Sequence, residues 1–311
     1  VDERDVPLSG REVRPTVRGS LAHEVLEWVF SDSTRYREPP GADTLFEVYR
    51  KCAERYRLEL ANLSPGLLEE ELRYLAGKTA RFLRKHLESC GDAEGETLGA
   101  GLEISFGRRV RNGEAPDPSA ERFPVLRSTP QPLLLEWDGM RARIAGQIDR
   151  IDVLNPETRV CRIVDYKTGQ VPAPAAIKQG SDVQLMLYAR AMQQLFGWTC
   201  DAAWYVSVTD PDSATKLPER LRARKKDDPT YSMSDADLWA HGMERALETV
   251  KRAVIRLREG CFPPVTWNGE AEACVPSGRY QDFRIRAKAL MGGWDTSGEE
   301  VEDGTESGEE E

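Results

Sequence analysis

Apolar residues recur at helical spacing over the first third of the chain and at alternate positions over the next stretch. In LAHEVLEWVF, Leu21, Val25, Trp28 and Val29 share one face, which predicts a helix from about Gly19–Ser20 to Phe30. Residues 43–63 read as a second helix. Residues 65–91 read as a third, with Pro65 at its start, acids early, bases late and Gly91 at its end. Residues 1–17, with Pro7 and Pro15, read as an extended lead. GLEISFGRRV (101–110) alternates apolar and polar positions, the mark of a half-buried strand. Residues 111–130 hold several prolines and charges and read as a loop. PLLLEWDGMRARIAGQIDRIDVL (132–154) places Asp138–Gly139 between two strand-like runs, a hairpin signal. Asn155–Pro156 marks a turn, and RVCRIVDYKTG (159–169) supplies a third strand of the meander. A helix over 181–197 closed by Gly197, a strand over 201–209 and a long helix over 234–260 complete the order.

Helices thus come first. Antiparallel strands follow, then a helix that returns the chain to the same sheet. That order predicts an α/β sandwich: a mixed β-sheet with helices on its faces. A length of 311 residues allows one large domain or two small ones. No apolar run approaches the roughly 18 residues that a membrane span needs. The opening VDERDVPLSG is charged and polar, unlike a secretory leader. It begins with Val rather than Met, which suggests a processed chain or a domain cut from a longer polypeptide.

Charge changes this picture in one respect. A net charge of −10 argues against a nucleic-acid partner until the end of the chain is read: residues 295–311 carry nine acids and no Lys or Arg. Without them the body is near neutral, and local patches decide its partners. Residues 293–311 read as a disordered acidic tail. It is either a solubilising segment or a nucleic-acid mimic or tether for a basic partner. The six cysteines, at 52, 90, 161, 200, 261 and 274, form no C-x-x-C pair, which argues against a zinc ribbon. Reduced, mostly buried thiols in a cytosolic protein are the simpler expectation.

The candidate chemistry sits in GQIDRID (146–152) and IVDYKTG (163–169). Side chains alternate faces along a strand, so Asp165 and Lys167 share a face and Tyr166 points away. The strand of Asp149 lies one hairpin connection upstream and is expected to be adjacent, about 5 Å away. Two carboxylates can then meet at one hard cation such as Mg²⁺, for which Mn²⁺ substitutes. Lys167 could orient water or offset charge on a phosphate. Taken singly, Asp149 could instead be a surface acid paired with Arg150, and Asp165–Lys167 a same-face salt bridge. His23, four residues before Glu27 on the first helix, could be a ligand or a structural histidine. Gln184 and Tyr188, also four apart, form one polar helix face that could hold substrate backbone and stack a base. The run KLPERLRARKK (216–226), with Arg224, Lys225 and Lys226 at its end, could contact phosphates.

These segments together resemble the PD-(D/E)XK nucleases, in particular the RecB-like nuclease domain of bacterial helicase–nuclease complexes such as RecBCD and AddAB. RGSLAHEVLE (18–27), GLEISFG (101–107), GQIDRID (146–152), VDYKTG (164–169) and QLMLYA (184–189) carry the likeness, in family order, across residues 18 to about 260. The resemblance implies a restriction-endonuclease-like domain over 18–292, helical over about 18–91 and with its sheet core over about 101–260. It implies His23, Asp149, Asp165 and the Tyr166 carbonyl as metal ligands, Lys167 as the catalytic lysine, and Gln184 and Tyr188 as the motif of the following helix. Glu103 stands where many members have a strand glutamate. The implied activity is Mg²⁺-dependent hydrolysis of DNA by an exonuclease in end resection and recombinational break repair. The implied setting is a bacterial cytoplasm, at the nucleoid, with a helicase subunit or domain as partner. Alternatives are a stand-alone exonuclease of CRISPR-adaptation or phage type, and a non-cleaving DNA-binding or scaffolding module.

One departure stands out. AddB-type members pin their C-terminal segment with an iron–sulfur cluster held by one Cys ahead of the first helix and a later C-x2-C-x5-C. Here no Cys precedes His23. Cys274 fits the first later position, but Ser277 and Phe283 occupy the other two, and Cys261 does not restore the spacing. Thiolates hold such clusters, so no iron–sulfur cluster is expected.

Overall fold

Pro15 opens the first helix rather than preceding it. Proline lacks an N–H and has φ fixed near −65°, which suits a first helical turn. Helix α1 therefore runs Pro15–Phe30, starting earlier than its apolar spacing indicates. The computed structural model describes residues 13–90, 96–108, 126–223, 226 and 228–258. The acidic tail, most of the 111–130 loop, Cys261, Cys274 and Gly260 lie outside the described residues.

A short helix α2 (Ser33–Arg37), capped by the Asp32 carboxylate accepting from the Thr34 amide, was not expected. The single helix expected over 43–63 is α3 (Ala42–Ala53), a 3-10 turn (Glu54–Tyr56) and α4 (Arg57–Leu60). Helix α5 spans Pro65–Cys90, as its pattern predicts.

Strands β1 (Thr97–Phe106), β4 (Gly146–Asn155), β5 (Val160–Lys167), β6 (Thr199–Ser207) and β7 (Ala214–Leu217) form one sheet in the order β1-β4-β5-β6-β7. Strand β6 runs parallel to β5 and the other pairs are antiparallel. The mixed sheet is thus as expected. The chain leaves β5, passes α6 (Pro174–Lys178) and α7 (Gln184–Ala191), and returns in β6. Helix α7 ends in a π turn, Met192–Phe196, closed by Gly197 at φ 72°.

The Asp138–Gly139 hairpin forms as predicted, with φ of 45° and 76° at the two turn residues. Its strands, β2 (Leu133–Trp137) and β3 (Met140–Ile144), make a separate two-stranded sheet. The meander of three successive strands is therefore corrected: β5 pairs with β4, while β2 and β3 stand apart. Strand β7, which overlaps the start of the basic run at Lys216 and Leu217, was also unforeseen.

Alternation sorts the sheet into two faces. Ile151, Val153, Ile163 and Tyr205 pack against Leu185, Met186 and Ala189 of α7 and Leu238 of α8 (Asp235–Arg258). Val164, Tyr166, Trp204 and Val206 pack against Leu21 and Val25 of α1, Tyr49 of α3 and Phe82 of α5. Each fully buried Val, Leu, Ile, Met or Phe among them contributes roughly 1.5–3 kcal/mol by leaving water. The chain's contacts divide after Lys251, within α8; the sheet, α1–α7 and the residues discussed below belong to the first unit. Cys52, Cys90, Cys161 and Cys200 are free thiols, and all but Cys52 are buried. No helix among the described residues is long and apolar enough to cross a membrane.

The helix-packed α1/α5 face also buries charge. Arg150 and Asp152 are both 0% exposed and pair at 2.9 Å. Arg162 meets the same Asp152 carboxylate at 3.0 Å, and the Gly99 amide donates to it at 2.9 Å. This corrects the reading of Asp149 as a partner of Arg150. Adjacent strand residues face opposite sides, so Arg150 turns into the core while Asp149 faces the other way.

Candidate active site

Strands β4 and β5 part at one end, and the site is built where they do. Their ladder runs to Arg150–Val164 and leaves Asp149 and Asp165 across from each other beyond it. The Tyr166 amide, free of the ladder there, donates to Asp149 Oδ2 at 2.8 Å. Glu103 stands opposite Asp149 on β1, between the pairs Leu102–Arg150 and Ile104–Ile148. Its φ is 49°, a left-handed conformation that a non-glycine residue adopts at a cost of about 1–3 kcal/mol and that clusters at functional sites.

Helix α1 brings His23 over this strand end. His23 Nδ1 lies 3.4 Å from Glu103 Oε1 and 3.6 Å from Asp149 Oδ1. Its Nε2 donates to the Tyr166 carbonyl at 3.2 Å. The ligand atoms of His23, Glu103 and Asp149 all lie within 4.8 Å of one another. One imidazole nitrogen and two carboxylate oxygens around one point suit a divalent cation that accepts mixed N/O donors.

Electrostatics agree with that donor set. Burial, then the charges of Asp165 and Glu103, push the Asp149 carboxyl up to about 8, against the pull of His23. Burial lowers the His23 imidazole, but its bond to Glu103 and the charges of Asp149 and Glu103 prevail and raise it to about 9. Carboxylates forced together out of water are short of positive charge, which a cation would supply.

Asp165 and Lys167 share a face, as alternation predicts, and their side chains meet at 2.6 Å. Asp165 is 1% exposed, and burial raises its pKa despite Lys167. Gln184, the first residue of α7, donates to Asp165 Oδ1 at 2.7 Å and accepts from Lys167 Nζ at 3.2 Å. It therefore holds both groups in place. It also donates to the Tyr188 hydroxyl at 3.0 Å. Behind it, Tyr205 donates to Asp182 at 2.7 Å. Asp165 accordingly sits beside the His23–Glu103–Asp149 cluster with its oxygens turned to Lys167 and Gln184.

Gly146 fixes the wall of the site. A Cβ there would lie 2.6 Å from Phe106 Cζ and 3.0 Å from a Tyr188 ring carbon. Gly146→Ala should therefore displace both rings and cost about 1–3 kcal/mol by overpacking. Thermal melting checks this, and an unchanged melting point would contradict the close packing.

The site opens into a cleft of about 1520 Å³. That exceeds the roughly 300–1,000 Å³ of small-molecule sites and suits a polymer. Arg55, Arg108 and Arg127 line it, together with Tyr56, Leu187 and Tyr188. Of the basic run, Arg224 and Lys225 lie outside the described residues. Lys226 is exposed and is not among the cleft's lining residues. Arg222 is spent on structure, reaching Asp235 at 2.7 Å, and Lys216 lies over the Trp204 ring at 4.2 Å.

The sequence reading overlooked Gln147, which donates to Glu103 and holds it toward His23. Period-two spacing from Asp149 was the available signal. The cleft arginines carried no such signal, because they come from separate segments.

A family model for the PD-(D/E)XK nuclease superfamily matches residues 3–274. Among curated proteins, none matches the chain.

Proposed function

The chain belongs to the PD-(D/E)XK nuclease superfamily, and from that membership we propose that it is a Mg²⁺-dependent deoxyribonuclease of the RecB-like branch that degrades DNA from its ends. The observation that carries this reading is the convergence of His23, Glu103 and Asp149 beside the Asp165–Lys167 pair. His23, Glu103 and Asp149 would hold the cation, with Asp165 as a further carboxylate and the Tyr166 carbonyl next to His23. Bound there, the ion would supply Lewis acidity toward a phosphoryl oxygen and toward water.

Lys167 offsets negative charge that develops on the phosphate and helps align the attacking water. Gln184 keeps Lys167 and Asp165 in register with each other. Tyr188 offers its ring to a base, and Arg55, Arg108 and Arg127 meet phosphates along the cleft. The helicase partnership, the role in end resection and recombinational repair, and a place at the bacterial nucleoid rest on the RecB-like order of motifs.

Linear DNA incubated with Mg²⁺ or Mn²⁺ should be degraded, covalently closed circles should resist, and EDTA should stop the reaction. Lys167→Ala should lose about 10²-fold in rate, as for removal of one charge-stabilising donor, with an unchanged circular dichroism spectrum. Full activity in that variant, or no cutting by the unaltered protein with either metal, would overturn the nuclease mechanism. Equal cutting of circles would overturn only the dependence on ends.

A further inference from the structure

Tyr166 touches the site with three different groups. Its amide holds the Asp149 carboxylate, its carbonyl accepts from His23 Nε2, and its ring meets the His23 ring edge-on at 5.9 Å. Its hydroxyl lies on the other side of the sheet, buried against the helices. There Arg150 Nη1 donates to it at 2.8 Å. Arg150 is itself held by Asp152 and by His86, whose Nε2 accepts from Nη2 at 2.7 Å. The guanidinium also stacks 4.0 Å over Phe30 of α1, the helix that carries His23. A planar guanidinium with five donors can fix several partners at once.

We propose that Arg150 is a positioning residue for the metal centre: it locks the Tyr166 hydroxyl from behind the sheet, so that the Tyr166 backbone presents Asp149 and His23 to the cation in one geometry. The proposal rests on the metal reading of His23, Glu103 and Asp149. It goes beyond it by assigning a task to a buried cation that touches neither metal nor substrate. Outer partners that orient metal ligands are worth about 10–100-fold in metal affinity. Strand alternation makes the linkage possible, because one residue places its backbone at the site and its side chain in the core.

Tyr166→Phe removes the hydroxyl and keeps the ring. Calorimetric titration with Mn²⁺ alone, without DNA, is the test. Tyr166→Phe should weaken Mn²⁺ binding about tenfold while keeping the folded circular dichroism spectrum. Arg150→Lys, which keeps charge but not the planar fork, should weaken it similarly. The double variant should be no weaker than Arg150→Lys alone, since both changes break one contact. Arg162→Met serves as the comparison, because Arg162 shares Asp152 with Arg150 and makes no contact with the Tyr166 hydroxyl. It should lower the melting temperature and leave Mn²⁺ affinity within about twofold. Tyr166→Phe that binds Mn²⁺ as tightly as the unaltered protein overturns the positioning role, as does an equal loss in Arg162→Met. An unaltered protein that binds no Mn²⁺ overturns the metal reading itself, and the positioning role with it.

Discussion

Asp149→Asn should lower DNA cleavage by about 10³-fold or more and, in EDTA, make the protein more stable. The first effect follows from losing one of the carboxylate donors proposed for the cation. Charge stabilisation by a metal is worth several kcal/mol, and each 1.36 kcal/mol is a factor of ten in rate. The second follows from burial. With Asp149 held up at about 8 by burial, Asp165 and Glu103, the folded protein binds its proton more tightly than the unfolded chain does, whose aspartates titrate near 3.9. Stability contributed by that proton is full below about 4 and is lost as pH rises through 8. His23 acts with the same sign: its raised value of about 9 gives stability that is full below about 6.5 and lost as pH rises through 9. Metal-free protein should therefore melt lower at pH 8.5 than at pH 6. The variant should show a flatter slope, since the asparagine amide cannot ionise and also removes part of the field on His23. Its side-chain oxygen can still accept from the Tyr166 amide, so the backbone keeps its partner. Saturating Mn²⁺ should raise the melting point of the unaltered protein, by about 2.7 kcal/mol of stability at 100 times Kd, and leave the variant unmoved. A variant that gains as much from Mn²⁺ as its parent would remove Asp149 from the metal site.

How much of this was legible in the sequence depends on the range of the rule involved. Alternation is local, and it placed Asp165 with Lys167 and set Tyr166 apart from them. A hairpin connection is nearly local, and it placed β4 beside β5. The same alternation places Arg150 away from Asp149, which is why the simple pairing of those two neighbours fails. Other features depend on distant partners. The helical pattern of 43–63 is continuous, yet the chain breaks at Glu54–Tyr56, where the Tyr56 hydroxyl and Arg55 both reach Glu24 on α1 at 2.7 and 3.0 Å. The hairpin β2–β3 satisfies its own ladder wherever it lies, so its sequence does not say that it leaves the main sheet. Glu103 was visible as a strand glutamate. Its left-handed backbone, which is unusual for a residue with a Cβ, was not. Arg55, Arg108 and Arg127 converge only once the helical segment and the sheet have folded together. The basic run was the more obvious candidate for phosphate contacts, and its Lys216 and Arg222 instead serve Trp204 and Asp235.

Asp152→Asn should be among the most destabilising single changes available in this fold, although Asp152 touches neither the cation site nor the cleft. Its carboxylate lies between two buried guanidiniums, Arg150 at 2.9 Å and Arg162 at 3.0 Å, and also caps the Gly99 amide. Breaking a buried ion pair costs about 3–5 kcal/mol, because a charge is left in the core without its partner. Here one change strands two cations, with Glu96 remaining near Arg162 at 3.8 Å. Arg150→Met should cost less, because Asp152 keeps Arg162 and the thioether fills part of the same volume. The combination of Asp152→Asn with Arg150→Met should cost less than the sum of the two, since the anion and one of its cations leave together. Urea unfolding checks all three, with the midpoint shifting and the slope unchanged. A loss below about 1 kcal/mol in Asp152→Asn would place it in the range of an exposed pair, and the charges beneath the sheet could then not be the dry cluster that their burial implies.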